Sequence, residues 1–120
     1  ALTAPRPLLL VSVGGDWTKN NPKVEFPYIQ NVYRLFGAEA KVENAHFQEE
    51  GHGYELSKRQ AMYPFMVKHL GLDSKGVLDP NTGVFDESKT VLEQPDQMRV
   101  FDEANPIPKH ALEPGSPVPF

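Results

Sequence analysis

The first block of apolar residues, PLLLVSV at 7–13, is nearly continuous rather than alternating. A strand covered on both faces by helices reads this way. Its shortness and the Gly14-Gly15 stop favour a strand over a buried helix segment. In the next block Ile29, Val32, Tyr33 and Phe36 follow i, i+3, i+4, i+7 spacing, which makes one apolar helix face. Pro27 suits a first helical turn and Gly37 a C′ position, so the pattern predicts a helix at about 27–36. KVENAHF at 41–47 then predicts a second short strand. A strand, helix and strand without hairpin spacing form a crossover unit, which makes the two strands parallel.

Beyond a polar loop, QEEGHGYE, a second helical pattern begins. Ser57 and Gln60 have the spacing of a capping box, which predicts a helix start at Ser57. Ala61, Met62, Phe65, Met66 and Leu70 would form its buried stripe, and Gly71 would end it. Pro64 inside this helix removes one backbone hydrogen bond and should kink it. After Leu72 the pattern breaks up. GVLDPNTGVFDE predicts a hairpin turning at Asp79–Gly83, and a further short strand is expected at 98–101. The expected organisation is thus an α/β portion at 1–72, followed by a hairpin and extended tail at 73–120.

Composition sharpens this picture at its end. Prolines number 12 in 120 residues, and Pro106, Pro108, Pro114, Pro117 and Pro119 all fall in the last fifteen. Such a segment is an extended tail, not a packed element. Net charge is −4 with the basic residues scattered, so neither a nucleic-acid surface nor an anionic membrane surface is expected. Lys58-Arg59, the largest basic cluster, reads as a solvated helix start. No apolar stretch approaches the roughly 20 residues of a membrane span. The absence of cysteine excludes disulfides, zinc ribbons and thiol catalysis. The aspartate spacing at 79–83 lacks the alternating acidic ligands and terminal glutamate of a calcium loop, so no metal site is expected.

Chemistry concentrates at two strand tips. GGDWT places Asp16 on the loop after the first strand, and EGHGY places His52 on the loop after the second. Open α/β sheets put their sites at these carboxyl ends. A carboxylate beside an imidazole holds the Nδ1–H tautomer and leaves Nε2 free as a base. The other histidines have simpler readings. His46 is a partly buried structural residue, His69 makes a contact at a helix end, and His110 lies in the tail. Glu49 and Glu50 are expected to face solvent. Trp17 fits either the core or a pocket wall.

The chain offers no nucleophile to this pair. Ser12 is mid-strand, Ser57 is a helix cap, and Ser74, Ser88 and Ser116 lie in the hairpin or tail. None has the G-x-S-x-G context of a nucleophile elbow.

The run APRPLLLVSVGGDWTKN…VEFPYIQNVYRLFG…NAHFQEEGHGYELSKRQAMYPFMVKHLGL resembles the C-terminal part of acetyl xylan esterase-like carbohydrate esterases. These are α/β-hydrolases, often secreted, that remove small acyl groups from plant polysaccharides. The resemblance covers about residues 4–72. It rests on D-W-T after the strand, E-G-H-G-Y before the last helix and M-Y-P-F within it. It implies the β-α-β-α C-terminal portion of a three-layer α/β-hydrolase sandwich, with Asp16 as the triad acid and His52 as the triad base. An acylated polysaccharide or small ester would be the substrate, no cofactor would be needed, and the location would be secreted or periplasmic. The half bearing the serine elbow and oxyanion hole is expected upstream of Ala1, so strand 7–13 should be covered by that half or by another chain. Two other readings stand beside this one. One is a truncated, non-catalytic α/β domain that serves as a binding or assembly module; the other is activity restored when Asp16 and His52 complete another chain's serine.

Overall fold

The computed structural model describes residues 2–112 and 115–117. The chain divides into two units, Ala1–Glu87 and Ser88–Phe120. Among the described residues the regular structure lies in the first: strand β1 (Leu8–Val13), helix α1 (Glu25–Leu35), a 3-10 turn (Glu39–Lys41), strand β2 (Val42–Phe47) and helix α2 (Leu56–Leu70). β1 and β2 pair in parallel, Leu8 opposite Val42 through Val13 opposite Phe47. This is the crossover unit that the sequence predicts, within one or two residues at most boundaries.

The pleat assigns each helix a face. Leu8, Leu10 and Val42 point to one side and pack with Phe26, Ile29, Tyr33 and Ala38 of the α1 layer. Tyr33 is 0% exposed, and its hydroxyl donates to the Arg6 carbonyl at 2.6 Å. A buried phenol thereby keeps its hydrogen bond, which removes the cost of burying it unpaired. Glu43 points to the other face, where Lys68 of α2 reaches its carboxylate at 2.9 Å. Alternate residues of one strand pair thus meet different helices, giving a helix–sheet–helix arrangement on two strands.

Local details depart from the sequence reading. α1 begins at Glu25 rather than near 27, so Pro27 still falls in the first turn, where its missing N–H costs nothing. Gly37 takes the expected left-handed conformation just beyond it, at φ 63°. Phe36 ends outside the core because it lies at the helix cap.

α2 starts at Leu56 with Glu55 as its N-cap residue, and no side chain caps it. The capping box does not form. Ser57 donates instead to Glu50, and the Gln60 amide pairs with both backbone groups of Phe85. The predicted buried stripe is also only half right. Ala61, Met62 and Phe65 are partly covered, while Met66 and Leu70 are exposed. The buried residue of α2 is Lys58. α2 continues through Pro64 to Leu70, and Gly71 closes it in the left-handed region at φ 64°.

Segment 76–87 reverses direction but forms one antiparallel bridge, Leu78 with Phe85, rather than a ladder of two strands. Its turn is knotted by Asp79, whose carboxylate accepts from the Asn81 N–H and the Thr82 hydroxyl. Side chains of α2 hold it from outside, with Arg59 and Tyr63 both on Glu87. In the second unit no helix or strand occurs among the described residues, so the strand expected at 98–101 is absent. Val100 and Phe101 are exposed there, and with no strand to pair with among the described residues two β-prone residues do not make one. Pro114 and Pro119 of the expected tail lie outside the described residues.

Candidate functional site

The site is built where the backbones of two loops touch. Gly14 N–H donates to the Phe47 carbonyl at 3.0 Å, and Gly15 N–H donates to the Glu50 carbonyl at 3.0 Å. The parallel ladder is therefore extended past the strand ends, into the loops that carry Asp16 and His52. Both glycines are required for this approach. A Cβ on Gly14 would come inside 3.0 Å of the Gln48 carbonyl oxygen, and one on Gly15 would lie 2.8 Å from that of Glu50. Only residues without side chains allow the loops to close on one another.

This closure brings the two side chains singled out in the sequence together. His52 Nδ1 lies 2.9 Å from Asp16 Oδ2. The other carboxylate oxygen, Oδ1, accepts from the Thr18 N–H at 2.7 Å and from the Thr18 hydroxyl at 2.6 Å. The Thr18 hydroxyl also accepts from the Val13 N–H at 3.0 Å, which ties the arrangement to the end of β1. The Thr18 hydroxyl bond first, then the His52 bond and the Thr18 N–H bond, hold the Asp16 carboxyl down to about 2. Asp16 is thus ionised at any ordinary pH, and an ionised Oδ2 requires a proton on Nδ1. The Asp16 side chain is only 8% exposed, whereas that of His52 is 65% exposed. The acceptor is sheltered, and the far side of the imidazole faces outward.

Trp17, open to either reading in the sequence, is a wall and not core. It is 76% exposed, and its ring centroid lies 4.6 Å from that of His52. Asp16, Trp17, His52, Tyr54 and Lys58 line one cleft of about 200 Å³, floored by Val11 and Val13 of β1.

The neighbouring residues sort as follows. His46 is structural, as read from the sequence, with Nδ1 2.8 Å from Ser12 Oγ and Nε2 3.1 Å from Gln48 Oε1. Ser12 Oγ, which gives its one proton to Asn44 Oδ1 at 3.1 Å, keeps a lone pair for a proton on Nδ1, so both ring nitrogens have a partner within hydrogen-bond reach. Ser12 is 1% exposed and also bonds Asn44. Glu50 does not face solvent freely. It accepts from Ser57 at 2.8 Å and pairs with Lys58 at 3.0 Å. Lys58 is likewise not a solvated helix start, since its side chain is 2% exposed. The sequence shows the Lys58-Arg59 pair but not which of the two turns inward, because that depends on the carboxylates waiting there. His69 packs on Phe65, with Nε2 3.9 Å from Glu43. No group of three or more side chains able to hold a metal ion occurs among the described residues, and no described helix is long and apolar enough to cross a membrane.

No protein-family model matches the chain, and no curated protein matches it. Among solved structures it is similar to methylesterase BT1017, with 40% sequence identity and a TM-score of 0.71 over 85% of this chain. The matched region is 21% of that structure's chain, so the present chain spans about a fifth of its length. With its two parallel strands and two flanking helices, the chain is an α/β segment compatible with part of an esterase-like fold.

Proposed function

We propose that the chain supplies the acid and base of a serine carbohydrate esterase, with Asp16 as the acid and His52 as the base. The carrying observation is the 2.9 Å bond between Asp16 Oδ2 and His52 Nδ1, with the imidazole otherwise open to the cleft. In this reading a serine hydroxyl from outside the present chain attacks the ester carbonyl. His52 Nε2 takes the hydroxyl proton and then gives it to the departing alkoxide, leaving an acyl-serine. Water repeats the cycle: it loses a proton to Nε2, adds to the acyl-serine, and the proton returns to the serine oxygen as the acid leaves. Asp16, ionised throughout, holds the Nδ1–H tautomer and stabilises the imidazolium formed at each half-reaction.

The two serines nearest the site support an external nucleophile. Ser12 is buried against His46, and Ser57 is committed to Glu50. Strand β1 supports it as well. Leu8 to Val11 are only partly covered, and a groove of about 240 Å³ passes Leu10, Val11 and Trp17. A further strand and helix layer over β1, from the same polypeptide or another, would complete a three-layer sandwich.

The resemblance to acetyl xylan esterase-like enzymes favours acetylated polysaccharides. The likeness to a protein named a methylesterase favours methyl esters. The two differ in which half of the ester is small, and they share the acyl-serine route. Either substrate would place the protein outside the cytoplasm. The test is fluorophosphonate labelling of the natural polypeptide that carries this chain, followed by peptide mapping and assay on acetylated and methyl-esterified polysaccharide. A label on a serine outside Ser12, Ser57, Ser74, Ser88 and Ser116, lost in His52→Ala, is expected. Absence of any label or turnover would leave a non-catalytic binding module as the reading.

A further inference from the structure

We infer that Lys58 is a positioning residue for His52, gripping the loop on both sides of the imidazole and holding it against Asp16. A buried ammonium is costly unless it is paired, and an apolar residue would fill the same space without that cost. Lys58 is 2% exposed, and it is paired twice, with Glu50 at 3.0 Å and with Glu55.

These two carboxylates flank the base in the chain. Glu50 stands two residues before His52. Its carboxylate also accepts from Ser57 at 2.8 Å, while its carbonyl accepts from Gly15 N–H, the residue preceding Asp16. Glu55 stands three residues after His52, and its carboxylate folds back against Gly53. A Cβ on Gly53 would lie 2.9 Å from Glu55 Oε2 and closer still to Oε1. One ammonium therefore fixes the backbone just before His52 through Glu50 and presses on the residue just after it through Glu55.

The loop has little else to hold it. Gly51 has open space around it, and Gly53 sits at φ 150°, in a region open chiefly to glycine. Two glycines around a histidine leave its direction to outside anchors. Those anchors are the Lys58 clasp, the Arg59 bond to the Tyr54 carbonyl at 2.7 Å, the Trp17 ring and Asp16 itself. The charged groups around His52 are thus Asp16 from the β1 loop, Glu50 and Glu55 from its own loop, and Lys58 from α2. Lys58 also lines the cleft that His52 opens into.

The inference rests on Asp16 and His52 acting as an acid–base pair, so its readout is independent of turnover. In the natural polypeptide carrying this chain, the His52 Nδ1 proton bound to Asp16 should give a low-field proton resonance, identified by its loss in His52→Ala. Lys58→Met should abolish or severely broaden that resonance while the far-ultraviolet circular dichroism stays unchanged. Lys58→Arg, which keeps the cation, should restore it. Retention of the full, sharp signal in Lys58→Met would overturn the inference. If Lys58→Met does not fold, Glu50→Gln decides: exchange of the Nδ1 proton with solvent should quicken several-fold, and an unchanged rate would overturn it. A wild-type protein that shows the resonance but no esterase activity would sink the esterase reading and leave the positioning role standing. Where activity is present, Lys58→Met should lower kcat with KM little changed.

Discussion

Gly14 lies against Gln48 so closely that a Cβ on the glycine would sit within 3.0 Å of the Gln48 carbonyl oxygen. This backbone contact sets the distance between the loops that carry Asp16 and His52. It makes a residue with no functional group the geometric key to the site.

Gly14→Ala should therefore cost more than a surface substitution, about 1–3 kcal/mol as an overpacking change. It should also weaken the bond between Asp16 and His52. Gly51→Ala meets open space without a positive φ, and it should be nearly neutral in stability. Denaturation midpoints of the two variants make the comparison, and equal midpoints would remove the close-approach account.

Asp16→Asn keeps the shape of the site but loses the charge that fixes the Nδ1–H tautomer. In an active esterase kcat should fall by about 10⁴-fold, the scale known for the same tautomer error in serine proteases. Substrate binding should be largely retained. Ordinary kcat in this variant would exclude Asp16 as the acid.

Thr18→Val tests what keeps Asp16 ionised. The carboxyl is held at about 2 in the folded chain, chiefly by Thr18, against about 3.9 when unfolded. A lowered carboxylate pKa adds stability above the unfolded value, and that stability fades as pH falls from about 4 through 2. The destabilisation caused by Thr18→Val should accordingly be largest above pH 4 and shrink below it. A remainder from the lost Val13 contact should persist at all pH values. Chemical denaturation of both proteins from pH 6 to 2 measures this, and a gap that stays constant would dissociate Thr18 from the Asp16 charge.

Gln60→Ala should loosen the 76–87 reversal. The Gln60 amide is donor and acceptor to the two backbone groups of Phe85, at 2.7 and 2.8 Å, and Phe85 is buried. Leaving such groups unpaired costs about 1–3 kcal/mol. Limited proteolysis should find new cleavage between 79 and 87, whereas a cleavage pattern like wild type would mean that Arg59 and Tyr63 on Glu87 suffice.

The isolated 120-residue chain should associate or unfold. Full burial of a large apolar side chain contributes about 1.5–3 kcal/mol, and Leu8 to Val11 reach it only in part. A two-stranded sheet is marginal by itself, and an apolar strand edge invites pairing. Light scattering at low concentration checks this; a cooperatively folded monomer would show that two strands and two helices bury enough.

The sequence by itself determined the order β1, α1, β2, α2, the parallel pairing of the strands and the placement of Asp16 and His52 on the loops that follow them. These follow from local signals: a continuous apolar run, a helical period, and glycines at the points where the chain must stop or turn. The meeting of Asp16 and His52 was legible for the same reason, since a crossover unit leaves both loops at one end of the sheet. Tertiary structure decided the rest. Ser57 and Gln60 have capping spacing, yet Glu50 and the Phe85 backbone offered them partners that no local window contains. Lys58 and Arg59 are adjacent and alike in charge, yet Lys58 is buried between Glu50 and Glu55 of the preceding loop, while Arg59 stays partly exposed and pairs with Glu87, 28 positions along the chain. Met66 and Leu70 carry the helical period but remain exposed among the described residues. Periodicity states which side of a helix is apolar, and only the packing of the remaining chain settles whether that side is covered.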